Sequence, residues 1–353
     1  MTKRHIAHLL CTAALVGSGL GAAPARNGPT VHLVRPGESI QKAVDAARPG
    51  DTVLVASGTY HESVEVTTDG LTLRGAGPGT VIQPAEQKAA TSCAQAGNGI
   101  CVTGTKDHRV TDVTVASLTV TGFARSGLMA ATTDRLTVRK VTAEANGQWG
   151  IAEERSFDSV YRQNTARNNG DAGLFLANAV QTEEGATDAH GAVVERNRLE
   201  GNRIGVTVRR LRNLSLTRND ITGNCAGVFV VGDENMPKAG DLTVRENRVT
   251  QNNKYCPKTA RLPFLQGSGI VLTGAEDTLV TGNMIADNAG TSPLSGGIVL
   301  YKSFVGVTSD RNRISGNTLQ GNAPADLVNQ EDTRQGNTFE NNSCRASKPA
   351  GLC

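Results

Sequence analysis

Seven non-overlapping Asn-x4-Asn pairs punctuate this 353-residue chain, at Asn164/Asn169, Asn197/Asn202, Asn219/Asn224, Asn247/Asn252, Asn283/Asn288, Asn312/Asn317 and Asn337/Asn342. A short alternating run precedes each first Asn, as in Leu214-Ser-Leu-Thr-Arg-Asn219 and Leu242-Thr-Val-Arg-Glu-Asn247. A Gly and an aliphatic residue recur on the same frame, as in Gly150-Ile151, Gly173-Leu174, Gly205-Val206 and Gly227-Val228. The shortest interval between units is about 22 to 24 residues, one turn of a solenoid, and longer intervals read as loop insertions. Asn tolerates the left-handed backbone of a tight bend, so the Asn residues are expected at the bends, with their amides stacked in ladders. One coil then holds three strands: Leu214 to Thr217, a short one at Ile221, and Val228 to Val231. The L-x-x-L-x-L-x-x-N frame of leucine-rich repeats does not fit these units.

The first residues set the compartment. Lys3, Arg4 and His5 form a basic segment, Leu9 to Leu20 an apolar one, and Ala23-Pro24-Ala25 a small-residue cleavage site. This pattern predicts a secretory leader over 1–25, followed by one domain over 26–353 in a secreted, extracellular protein. Cys11 follows Leu10, which is larger than the small residue that lipoprotein processing favours. No later segment is long and apolar enough to span a bilayer.

Six cysteines follow the leader, and an even count in an exported chain favours disulfides over a metal site. The repeat favours pairing between sequence neighbours: Cys93–Cys101, Cys225–Cys256 and Cys344–Cys353. The leader holds two of the 36 basic residues and none of the 33 acidic ones, so the remainder is nearly neutral. With a single Trp, it lacks the footprint of a nucleic-acid binder. A monomer is expected.

Ahead of the repeats, Ser39 to Ala47 reads as a helix. Ser39 is its N-cap, Ile40, Ala43, Val44 and Ala47 share a face, and Pro49-Gly50 ends it. Placed at the open end of a solenoid, such a helix would cover exposed core and strand edges. This segment, with Gly50-Asp-Thr-Val-Leu-Val55 and Gly58-Thr-Tyr60, resembles the start of pectin-lyase-like right-handed parallel β-helices. The Asn-rich coils from Leu136 to Asn342 are similar to the short repeats of that superfamily, and an all-β parallel solenoid is the fold implied. The superfamily includes lyases, glycosidases, epimerases, esterases, adhesins and non-catalytic proteins, so the resemblance does not select a reaction.

The resemblance implies that a polysaccharide lies along the sheet built from the third strand of each coil. Period-2 alternation puts Leu128, Ile151, Leu174, Val206, Val228, Ile270 and Ile298 inward. One outward row is then Met129, Ala152, Phe175, Thr207, Phe229, Val271 and Val299. The next is Ala131, Glu154, Ala177, Arg209, Val231, Thr273 and Tyr301. The first row is too apolar for a bare groove, so either long loops fold over it or a sugar face or partner protein covers it. Two insertions are candidates: Asn178 to Gly191, and Asn253 to Gly267 with Lys254, Tyr255, Lys258 and Arg261.

The Asp188-Ala-His190 segment, followed by Arg209 and Arg210, is similar to the Asp-Pro-His-Asp segment of mannuronan C5-epimerases. Asp188 and His190 match its first Asp and its His, whereas Ala189 and Gly191 depart from it. That likeness implies His190 as base, oriented by Asp188, with Arg209 neutralising a uronate carboxylate and Tyr255 or Tyr301 supplying the acid. Arg210, Lys254, Lys258, Phe175, Phe229 and Tyr301 would contact the polymer. The Arg-x-Pro-x-x-Arg of pectate lyases is absent, as is the Asn-Thr-Asp, Asp-Asp and Arg-Ile-Lys set of polygalacturonases. Glu153 and Glu154 are adjacent on a strand, so only one of them can face a groove. Calcium stays open through Asp233 and Glu234, without a repeat-type calcium motif. The function expected is lysis, C5-epimerisation or binding of an acidic polysaccharide. The alternative is a non-catalytic β-helix that binds a glycan or a partner protein.

Overall fold

The computed structural model describes residues 28–86, 91–232, 234–332 and 335–353. The expected leader, with Cys11, lies outside the described residues, and so does Asp233. One coil shows how the chain is wound. Leu211–Thr217 belongs to a 13-stranded sheet, Asp220–Thr222 to a 10-stranded sheet and Ala226–Val231 to an 11-stranded sheet. Each strand pairs in parallel with its counterparts one coil earlier and one coil later, as Ala226–Val231 does with Ile204–Arg209 and Ser268–Thr273. The chain is a parallel β-helix with three strands per coil.

The core lies inside the coils. Leu128, Ile151, Leu174, Val206, Val228, Ile270 and Ile298 share one register. Each is fully buried, as the alternation requires. The recurring glycines let the coils approach closely: a Cβ at Gly205 would stand 2.6 Å from the Gly227 carbonyl, and one at Gly227 would stand 2.6 Å from that of Gly269.

Asn side chains form two long buried ladders at the corners that flank the 10-stranded sheet. One runs Asn164, Asn197, Asn219, Asn247, Asn283, Asn317, Asn342. The other runs from Asn146 through Asn169, Asn202, Asn224, Asn252, Asn288 and Asn322. It ends on Asp326, whose Oδ1 accepts from Asn322 Nδ2 at 2.8 Å. At each step one amide oxygen accepts twice, as Asn247 Oδ1 does from the Asn219 backbone N–H and Nδ2, both at 2.9 Å. These bonds satisfy backbone donors that the corner would otherwise leave unpaired.

Two details differ from the sequence reading. The left-handed residue is the one before each Asn: Gln163, Arg196, Arg218 and Glu246 have φ of 54° to 58°. The chain bends there, and the Asn that follows turns its amide inward. The last two Asn pairs are also shifted. Asn317 and Asn342 continue the first ladder, whereas Asn312 and Asn337 form a third, short one. A five-residue step spans one short strand and its bend, and it occurs at more than one corner, so spacing alone does not assign the register.

The helix Ile40–Ala46 follows its N-cap Ser39, which accepts from Lys42 N–H. Glu62 accepts from the free N–H groups of Ile40 and Gln41 at 2.7 and 3.1 Å. Ile40 and Val44 are buried against the first coils, which makes the helix the expected cap. A second short helix, Ser92–Gln95, carries Cys93 and was not apparent from sequence. All three disulfides join the expected neighbours: Cys93–Cys101, Cys225–Cys256 and Cys344–Cys353. Among the described residues no helix is long and apolar enough to cross a membrane.

Candidate functional site

The outer face of the 11-stranded sheet keeps the expected register, with Phe175, Thr207, Phe229 and Val271 side by side. These residues are nevertheless at most 8% exposed, because loops cover them. The first loop follows Ala172–Ala177 and lies along the edge of the sheet. Arg210, itself 2% exposed, donates to Thr182 O and to Glu183 Oε2, both at 2.5 Å. Arg155 holds Glu184 at 2.5 Å, and Ala186 N–H donates to Pro237 O at 2.7 Å. Gly185 packs on the Met236 carbonyl so closely that no Cβ fits there.

The second loop, residues 253–267, is fixed twice. Cys225–Cys256 ties it to the coil, and the buried Arg203 donates to Pro257 O at 2.7 Å and Pro263 O at 3.4 Å. Burial draws the Arg203 pKa down, opposed by the nearby Asp171 carboxylate.

Between the loops lies a groove of about 790 Å³. Its floor holds Trp149 stacked on Phe175, with centroids 4.2 Å apart and planes 11° apart, followed by Thr207 and Phe229. Trp149 Nε1 donates to Asp171 Oδ2 at 3.1 Å. Burial pushes the Asp171 carboxyl above its ordinary value, with the indole N–H and Arg203 acting the other way. Among the described residues five arginines line the groove (Arg125, Arg203, Arg209, Arg210 and Arg261) against three carboxylates (Asp171, Glu183 and Glu234). The groove is therefore an aromatic floor within a cationic rim.

The residues expected to act together do not meet here. Arg209 does line the groove; its Nη1 donates to Val180 O at 3.3 Å and its Nη2 lies 3.9 Å from Glu183. Arg210 lines it too, but its guanidinium holds the first loop in place. Asp188 and His190 belong to Thr187–Glu195 of the 13-stranded sheet, past the corner at the left-handed Arg210, and do not line the groove. Asp188 Oδ1 accepts from the His190 backbone N–H at 2.6 Å and from Asn213 Nδ2 at 2.8 Å, so it orients a bulge and not the imidazole. The His190 ring stacks on Phe157, with centroids 4.6 Å apart. Both misplacements share a cause: the strand Arg198–Glu200 of the 10-stranded sheet lies between this segment and Arg209, so the two face out from different sheets.

Tyr255 is 61% exposed on the outside of the second loop, tilted against Phe264. Lys254 reaches back to Gly201 O, and Lys258 is exposed; neither lines the groove. Phe175, Phe229 and Tyr301 do line it. Glu153 and Glu154 divide as the strand pleat requires. Glu153 points into the core, where Tyr161 OH donates to it at 2.6 Å, while Glu154 faces out and accepts from Val180 N–H at 2.9 Å. Sequence reading missed Asp171, Arg203, Trp149 and Phe304. Trp149 alone carried a signal, as the single Trp of the chain beside the repeated Gly150-Ile151.

Three parallel sheets stacked around one continuous core, with loops pinned over one face, define a β-helix protein. The family model for a right-handed β-helix region matches residues 57–185 and 97–249, together more than half of the chain. The chain belongs to that family. A second family model, that of the periplasmic copper-binding protein NosD, matches residues 178–348. The A-module of the Azotobacter vinelandii mannuronan C-5 epimerase AlgE4 is similar in structure, with TM-score 0.57 and 21% identity over 86% of this chain and 90% of that one. So is the DFA-IIIase of Arthrobacter chlorophenolicus A6 without its lid, with TM-score 0.57 and 13% identity over 91% and 87%. The periplasmic alginate epimerase AlgG gives TM-score 0.51 and 14% identity over 83% and 62%. At these identities the likeness is one of fold. No curated protein sequence matches the chain.

The copper that the second family name implies does not fit the described residues. No three His, Cys, Asp or Glu side chains converge among them, and their six cysteines are in disulfides. Of the calcium candidates, Glu234 lines the groove and Asp233 lies outside the described residues.

Proposed function

We propose that this protein holds an acidic polysaccharide in the groove of the 11-stranded sheet, in an oxidising compartment outside the cytoplasm. The cationic excess over an aromatic floor carries this reading. Sugar rings present apolar C–H faces to aromatic side chains, and arginine guanidinium groups match carboxylate geometry. The epimerases among the structural neighbours, one of them named for mannuronan and another for alginate, support the same substrate class. Three disulfides and a leader-like first segment support the compartment.

If the groove is catalytic, Asp171 is its proton-transfer group. Its raised pKa makes it a stronger base than an ordinary carboxylate, and the exposed Arg125 is the cation on the same side for the sugar carboxylate. Taking H5 as a proton leaves a carbanion stabilised by that carboxylate. Return of a proton from water on the other face gives the epimer, and Asp171 releases its own proton to solvent. Alternatively, the electron pair forms C4=C5, the C4–O bond breaks, and the leaving oxygen takes the proton held by Asp171.

The test is a binding panel of uronate polysaccharides and neutral glucans over a range of salt. It is followed by ultraviolet absorbance for the unsaturated product and by C5 proton exchange in heavy water. Uronates are expected to bind more tightly than neutral glucans, with affinity falling as salt rises. Equal binding of neutral glucans, or no binding at all, would overturn the reading. Uronate binding without either chemical signal would make the protein a binder.

A further inference from the structure

Aromatic side chains in the groove differ in what they can offer a ligand. Trp149, Phe175, Phe229 and Tyr301 are 4%, 8%, 4% and 8% exposed, because they pack on each other or beneath loops. Phe304 also lines the groove, yet it is 63% exposed. It sits on a turn where Gly306 N–H donates to Ser303 O at 3.4 Å and Val305 N–H donates to Ser303 Oγ at 3.2 Å. Tyr301 supports it from one side, with centroids 5.1 Å apart and planes 55° apart. A large aromatic ring supported on one side and left open to a groove costs hydration free energy unless something covers it.

The place of this turn in the coil order sets its distance from the cationic wall. Arg209, Val231 and Thr273 are successive outward residues of paired strands, and Tyr301 N–H donates to Leu272 O one rung further on. Three rungs separate Arg209 from Tyr301, about 14 Å at the spacing of neighbouring strands.

We infer that Phe304 is a stacking platform for a pyranose ring at the C-terminal end of the groove, about three rungs from the Arg209 guanidinium. The inference rests on the groove reading above and makes it more specific: the ligand is a chain of sugars, with a carboxylate held at the arginine wall and an apolar ring face on Phe304. Shape selects the ring, since a flat aromatic face complements the C–H face of a sugar, and a groove lined by both arginines and carboxylates suits its hydroxyls. A lone uronate would reach one end only.

Titration calorimetry of wild type, Phe304→Ala and Phe304→Tyr with uronate oligosaccharides from dimer to hexamer tests this. Phe304→Ala is expected to lose about tenfold in affinity for the longer oligosaccharides and nothing for the shortest one that binds. Phe304→Tyr keeps the ring and should match wild type. Matching thermal midpoints check that the exposed substitution leaves the fold intact. If wild type binds and Phe304→Ala binds equally at every length, the platform is refuted and the groove reading stands. If wild type binds none of the oligosaccharides, the groove reading falls and the platform falls with it.

Discussion

Tyr161 donates its hydroxyl proton to Glu153 Oε2 over 2.6 Å inside the coil, where both side chains are buried. Glu153 Oε1 has no hydrogen-bond partner among the described residues. Burial is the main reason that the Glu153 carboxyl titrates above its ordinary value of 4.5, with the Tyr161 and Ser159 hydroxyls pulling the other way. Burial and the neighbouring Glu153 likewise raise the Tyr161 hydroxyl.

A sign follows for stability against pH. The unfolded chain releases the Glu153 proton near the ordinary value, while the folded chain keeps it to higher pH. The folded state is therefore favoured below that value and loses this advantage as pH rises towards the folded pKa. Urea unfolding from pH 4 upward should show stability falling with pH, and Glu153→Gln should flatten that slope. Glu153→Ala, which leaves the Tyr161 hydroxyl unpaired, should cost about 1–3 kcal/mol.

The ladder predicts a larger loss in mid-stack. Asn219→Leu removes the acceptor for the Asn197 backbone N–H and Nδ2, and the donor to Val194 O and Asn247 Oδ1. Several buried groups would be left without partners, at a cost of about 2–4 kcal/mol in chemical denaturation. Arg218→Gly, at the left-handed residue before it, relieves backbone strain but breaks the exposed ion pair with Glu246, so a change within about 1 kcal/mol is expected.

Opening the Cys225–Cys256 bridge should act on the groove as well as on stability. Cys225→Ser with Cys256→Ser frees a 31-residue separation. The loss expected from chain entropy is about 3–4 kcal/mol. Limited proteolysis should then cut within 253–267 while the coils stay intact, and polymer affinity should fall together with loop order.

The position of any chemistry can be tested by contrast. Asp171→Asn is expected to abolish whatever turnover the groove supports, since removal of a general base typically costs about 10²- to 10⁴-fold. His190→Ala, around the corner on another sheet, should leave that turnover unchanged. Activity lost in His190→Ala and kept in Asp171→Asn would return the site to the Asp188–His190 bulge.

What could be read from sequence was what repeats. The inward row from Leu128 to Ile298, the cap from Ser39 and the three disulfides all follow from periodic or paired signals. The site was less legible because its parts are joined by contacts without a period. Nothing near Arg210 announces that it holds Glu183, and nothing near Arg203 announces Pro257. His190 misled because its place in the coil was misread: it lies on the 13-stranded sheet, and the chain turns two corners through Arg198–Glu200 before Arg209 reaches the 11-stranded sheet. Phe304 carried no local signal, because its importance lies in being uncovered where its neighbours are covered.

The asparagine ladder joins residues 22 apart from Asn197 to Asn219, 28 apart to Asn247 and 36 apart to Asn283, with bonds of 2.9 Å each time. It registers coils and is indifferent to how much chain lies between them. The scaffold can therefore lengthen, shorten or exchange the segments that hang over its face while the rungs beneath keep their places. Descendants of one such chain can change what they grip by recombining these overhangs, with no new solution needed to the problem of folding.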